Sequence, residues 1–184
     1  LTSALARVAR RLPGAELAVA THAGALLGLE VASDGGVADM GELLEARCGE
    51  CGPAHLALLL HGLAKARAQP PPFAWRLLAQ RARASELDPA NAVRAVLAAA
   101  KADWCDGAVR TLAHEMSHSL DDLCEEAVCS LAYASLHPYY FDAPQLTRLL
   151  QHVRSSRAIG TASFALQVRT ALSALRLLAG PRAL

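Results

Sequence analysis

An all-α fold is the expectation, and three observations lead to it. Of 184 residues, 40 are Ala and 32 are Leu, so two strong helix formers fill 72 positions. Residues that favour strands are scarce: Ile occurs once, at Ile159, and aromatics make up 4%. Apolar residues also recur at i, i+3, i+4 and i+7 in segments separated by Pro and Gly breakers. A chain of this length can bury a substantial core.

Taken in order, the pattern predicts helices over 2–12, 15–30, 38–47, 54–68, 73–86, 90–102, 107–119, 122–136, 143–155 and 162–179. Eight of the ten have a chemical stop. Pro13-Gly14 closes the first, Asp34-Gly35-Gly36 the second and Cys51-Gly52-Pro53 the third. Pro70-Pro71-Pro72, Asp88-Pro89, Asp106-Gly107, His137-Pro138 and Gly180-Pro181 punctuate the rest. Short turns between helices of this length make neighbours antiparallel.

The helix pairs repeat. Leu63-Ala64-Lys65-Ala66-Arg67-Ala68 aligns with Leu97-Ala98-Ala99-Ala100-Lys101-Ala102, and then with Leu131-Ala132-Tyr133-Ala134-Ser135-Leu136, at an offset of 34 each time. Arg76-Leu77-Leu78-Ala79-Gln80 aligns with Arg110-Thr111-Leu112-Ala113-His114 at 34, and with Arg148-Leu149-Leu150-Gln151-His152 after a further 38. The expected architecture is an α-solenoid of antiparallel helix-turn-helix repeats of 34–38 residues, with an irregular bundle as the alternative. Repeats are expected over 55–88, 89–121, 122–156 and, in part, 157–184, after an N-terminal cap or degenerate repeat over 1–54.

The segment His61-Gly62-Leu63-Ala64-Lys65-Ala66, a Pro-rich turn and Trp75-Arg76-Leu77-Leu78-Ala79 resemble one unit of the octotricopeptide/heptatricopeptide class. The resemblance extends over about 100 residues by the repeat alignment. It implies an organellar α-solenoid, mitochondrial or alternatively of the chloroplast, that acts on organellar RNA or is built into organellar ribosomes. The chain departs from the family where its first helix carries Trp: Gly62, Val96 and Ser130 stand there instead. No nuclease-like RAP domain is visible either.

If the repeats stack, Arg76, Arg110 and Arg148 form a guanidinium ladder able to follow an RNA phosphate backbone. Arg81, Arg83, Arg154 and Arg157 widen the stripe. Pairing with acids such as Glu115 or Asp122 is the bland alternative. Tyr139, Tyr140 and Phe141 are candidates for base stacking or partner contact, or for packing under their turn. Arg67 and Lys101 end first helices, where a cation favours the helix dipole.

Two further motifs invite chemistry. His114-Glu115-Met116-Ser117-His118 is an HExxH sequence, which on a helix can bind zinc and supply a general base. Apart from Asp142 it lacks a third ligand at zincin spacing, and strands for a zincin sheet are not evident, so a solvated helix face is expected instead. Cys48-x-x-Cys51 with His55 could open a zinc site, yet no second pair follows in sequence. Five cysteines without regular spacing argue against a secreted disulfide scaffold and for a reducing compartment.

A net charge of +1 excludes the bulk basic character of a freestanding nucleic-acid binder, and no transmembrane span is credible. The chain opens on Leu1 rather than Met, so a fragment or processed form is expected. No Gly-rich phosphate loop, paired-carboxylate site or catalytic triad is recognisable. The expectation is a noncatalytic mitochondrial helical-repeat protein that binds structured RNA, as a ribosomal subunit or ribosome-associated factor. Its partners would be organellar RNA, ribosomal RNA first, and neighbouring ribosomal or assembly proteins. No cofactor, metal, membrane or small-molecule substrate is expected. Alternatives are a protein scaffold subunit without RNA contact and, remotely, an HExxH zinc peptidase.

Overall fold

A computed structural model describes residues 11–28, 43, 45–68, 72–81, 87–155, 169 and 173. Among them there is no strand. Seven α-helices have defined bounds: α1 (Gly14–Leu26), α2 (Pro53–Lys65), α3 (Pro72–Arg81), α4 (Pro89–Lys101), α5 (Gly107–His118), α6 (Glu125–Ala134) and α7 (Ala143–Ser155). Leu120–Asp122 form a 3-10 turn, and positions 45–48 are also helical. No helix of the described residues is long and apolar enough to cross a membrane.

The starts follow from side-chain caps. Asp88 accepts the Asn91 N–H at 3.0 Å with Pro89 in the first turn, where a missing donor costs nothing. Asp106 accepts from Ala108 at 2.8 Å and from Val109 at 3.3 Å. Asp142 and Gln145 satisfy each other's backbone N–H reciprocally, both at 2.9 Å, a capping box at the start of α7. The ends of α2 and α4 share one device: Arg67 and Asp103 take left-handed φ of 56° and 52°. Ala68 N–H then returns to Leu63 O and Trp104 N–H to Ala99 O, each at 3.0 Å.

These caps correct several expected boundaries. The helix expected over 54–68 stops at Lys65, because Arg67 leaves the helical region. The helix expected over 122–136 begins at Glu125, since Leu123 and Cys124 are extended behind the 3-10 turn. Residues 11 and 12 are not helical, and the rest of 2–12 lies outside the described residues. So does most of 162–179, of which 169 and 173 are described as helical.

Packing follows chain order. α1 packs on α2, α2 on α4 and α4 on α6; α3, α5 and α7 each pack on the helix before them, and α5 also meets α7. Small residues set the spacing. Ala92, Ala95, Ala98 and Ala99 of α4 are fully buried. A Cβ on Gly62 would lie 2.8 Å from the His22 Cα, so α1 and α2 approach through the missing side chain. Trp75, 1% exposed, stacks on Trp104 at 5.9 Å and 10°, closing the core beside α3. The helices α2, α4 and α6 start 36 residues apart, at 53, 89 and 125. That spacing differs from the local sequence match at 34, because Ala/Leu runs match themselves at neighbouring offsets.

Candidate nucleic-acid interface

The expected arginine ladder is present as exposed side chains but not as one stripe. Buried Leu78, Ala113 and Leu149 hold the seventh position of α3, α5 and α7. Against that register, Arg76, Arg110 and Arg148 occupy the fifth, fourth and sixth positions. At about 100° per residue they fan over about 200° of helix circumference rather than lining one edge. Two are also engaged. Arg110 lies over the Tyr139 ring at 5.5 Å, and Arg148 donates to His118 Nδ1 at 2.7 Å.

Arg81 is a structural clamp. It donates to Cys51 O at 2.6 Å and to Gly49 O at 3.2 Å, tying the end of α3 to the turn before α2. Arg83 and Arg157 lie outside the described residues; Arg154 is on α7, its side chain outside the described part. Of the aromatic group, Tyr140 is 0% and Phe141 6% exposed. Both belong to the core, so packing under the turn, and not base stacking, is their observed placement. Tyr139 is half-buried and meets Tyr140 edge-on at 5.2 Å.

The HExxH residues lie on α5, with the His114 and His118 rings 4.6 Å apart. Their neighbours are donors. Gln145 Oε1 accepts the Asp142 N–H, so its Nε2 is the atom that donates to His114 Nδ1, at 2.5 Å. Arg148 can only donate to His118 Nδ1. Each neutral ring therefore carries its proton on Nε2, the atom a zincin needs free for the metal. Partial desolvation, Arg148 and His114 hold the His118 pKa below the ordinary imidazole range. Cys48 and Cys51 are both buried beneath α1, and the Cys48 thiol is held protonated by its hydrogen bond to Cys51 and by burial.

A different group of cations meets in one place. A cleft of about 160 Å³ opens between α2, α4 and α6, and His61, Lys65, Arg94 and Lys101 line it. Glu126 is the one carboxylate on its wall. Among the described residues, none of Lys65, Arg94 and Lys101 has a carboxylate within ion-pair distance. Arg94 donates to Asn91 Oδ1 at 2.8 Å, and Lys101 lies 5.7 Å from the Tyr133 centroid. Burial and crowded positive charge act together on the groups of this cleft. Burial, then His22, Lys101, Arg94 and Lys65, push His61 down to about 4. His22, whose Nδ1 is 3.4 Å from His61 Nδ1, is lowered by burial, Arg94 and Lys65. Lys101 is lowered by burial and by Lys65.

Sequence reasoning passed over this cleft. Lys101 reads in sequence as a helix-dipole partner beside Arg67, and Lys65 is not singled out, although Lys65 and Lys101 both end helices that start 36 residues apart. They are also the only two lysines of the chain. That pairing was the available signal; the addition of Arg94 and His61 depends on how α2 and α4 pack. Comparison with protein-family models, curated proteins and solved structures gives no significant match to this chain.

Proposed function

We propose that the chain is an α-solenoid of helix-turn-helix repeats that binds the phosphate backbone of structured RNA in the cleft between its first helices. One observation carries this reading: Lys65, Arg94 and Lys101 converge around His61 with no carboxylate in ion-pair range among the described residues. Such a cluster is costly in the free protein, since burial and the neighbouring cations depress the protonation of His61 and Lys101. A phosphate group relieves that repulsion and accepts from several donors at once. The sequential packing of α1, α2, α4 and α6 supports the solenoid. The resemblance of the repeat to octotricopeptide units supports an organellar, noncatalytic role at the ribosome.

The test is the salt dependence of RNA binding. Three phosphate contacts give log K against log salt a slope of about −2 to −3. Lys65→Ala, Arg94→Ala and Lys101→Ala together should flatten it by that amount. An unchanged slope removes the cleft from the interface. A scaffold role without RNA is the second reading, favoured by Val19, Leu26 and Leu27, exposed by 48%, 52% and 76% at α1 and its end. It predicts no salt-sensitive RNA binding at all.

A further inference from the structure

Opposite in character to the cleft, a small cluster of soft and hard donors joins two successive helix-closing turns. Asp103 ends α4 with its φ of 52°, and Cys105 follows two residues later. His137 lies in the turn after α6, where its N–H bonds Ala134 O at 3.0 Å. A carboxylate oxygen of Asp103, Sγ of Cys105 and a ring nitrogen of His137 all lie within 4.8 Å of one another. His137 Nε2 and Asp103 Oδ1 are 2.8 Å apart. The imidazole side chain is 15% exposed and packs on the Tyr140 ring at 5.1 Å, whereas the Asp103 side chain is 91% exposed and free to adjust.

We propose that Asp103, Cys105 and His137 form a binding site for a thiophilic divalent cation, zinc foremost. The donor set argues for it. One thiolate, one imidazole and one carboxylate are the three ligand types zinc takes, and a water completes a tetrahedron. Bond lengths of about 2.0 to 2.3 Å place tetrahedral ligands about 3.3 to 3.7 Å apart, so side-chain rotations alone close the present spacing. The backbone is already fixed on both sides: the Trp104 N–H to Ala99 O bond holds one turn, and the burial of Tyr140 holds the other. Binding releases the Cys105 thiol proton to solvent, leaves the His137 ring protonated on Nδ1 alone, and replaces the contact that its Nε2–H now makes to Asp103 with two metal bonds. The ion would clip the turn after α4 to the turn after α6, stiffening adjacent helix pairs.

Cobalt(II), added to the reduced full chain, supplies the test. One equivalent should produce a thiolate-to-cobalt charge-transfer band and d–d bands of tetrahedral intensity, and zinc should displace both. Cys105→Ser should abolish the charge-transfer band, and His137→Ala should weaken binding by more than about tenfold. Zinc should also raise the thermal midpoint of the native chain and leave that of Cys105→Ser unchanged. The double variants Cys48→Ser/Cys51→Ser and His114→Ala/His118→Ala should bind as the native chain does. No thiolate band, a band that survives Cys105→Ser, or one lost with Cys48→Ser/Cys51→Ser would overturn the site.

Discussion

On the first-helix side, Lys65, Arg94 and Lys101 surround His61 without a carboxylate in ion-pair range among the described residues. On the second-helix side, Arg148 donates to His118, Arg110 covers Tyr139, Gln145 supplies His114 and Arg81 holds two carbonyls. The second side carries the more conspicuous sequence, with HExxH and most of the singled-out arginines. Yet its polar groups largely answer one another, and the less conspicuous side leaves charge unanswered. Motif strength and functional readiness therefore separate in this molecule. A cation already engaged within the fold must give up a partner to meet a ligand, and one that is crowded by its own kind gains from meeting an anion.

The largest contrast is in RNA affinity. On the proposed reading, neutralising Lys65, Arg94 and Lys101 should remove three phosphate contacts, which at about 0.1 M salt would be worth about a hundredfold in affinity. Neutralising Arg76, Arg110 and Arg148 should cost less than about threefold, because their positions fan around the helices and two are engaged. Equal losses from the two triple variants in a filter-binding assay would erase the comparison and restore the ladder.

Acidification gives the next effect. The folded chain resists protonating His61 until about pH 4, and the unfolded chain takes up that proton near 6.5. The unfolded state thus binds more protons between those values, so the His61 contribution to stability is complete above 6.5 and is lost as pH falls towards 4. A phosphate in the cleft offsets the repulsion from His22, Lys65, Arg94 and Lys101, with Glu126 on the same wall, and draws the His61 proton on. RNA affinity should therefore rise about tenfold as pH falls from 7 to 5. His61→Ala should flatten the profile; a profile unchanged by that substitution assigns the proton elsewhere.

How much of this was legible in sequence depends on the range of the forces involved. Asp88-Pro89 and Asp106-Gly107 act within one turn, so α4 and α5 begin where the sequence places them to within one residue. The end of α2 was less legible, because Arg67 takes a left-handed conformation that its side chain does not announce. Tyr140 and Phe141 were ambiguous for another reason: an aromatic run in a turn has the same spelling whether it is covered or not. The arginine alignment failed because a shift of one residue in an Ala/Leu helix rotates a side chain by about 100° while leaving the match intact. For the cleft, two lysines were visible, but Arg94 and His61 join them only through tertiary packing.

A structural role for the HExxH region makes a smaller prediction. Gln145 caps α7 and donates to His114, so Gln145→Leu removes both bonds while keeping much of its volume. The loss should be about 1 to 2 kcal/mol in urea unfolding, the range of a cap and a part-buried hydrogen bond. RNA affinity should not change. A loss of RNA binding with intact stability would move the interface to the second-helix side.

The smallest effect is the most local. Arg148→Ala removes a donor from His118 Nδ1 and a positive charge from its ring, two influences that now favour the neutral, Nε2-protonated form. His114 remains beside it, so the His118 pKa should move only part of the way back towards the ordinary imidazole value. Histidine ring signals followed by NMR across pH would show that rise. The tautomer pattern at neutral pH would test the argument more directly: the native chain should show Nε2-protonated rings at both His114 and His118, and the variant a mixed population at His118 alone. Finding Nδ1-protonated rings in the native chain would reverse the reading of α5, since that form leaves Nε2 free on two adjacent imidazoles and makes the HExxH helix the better metal ligand.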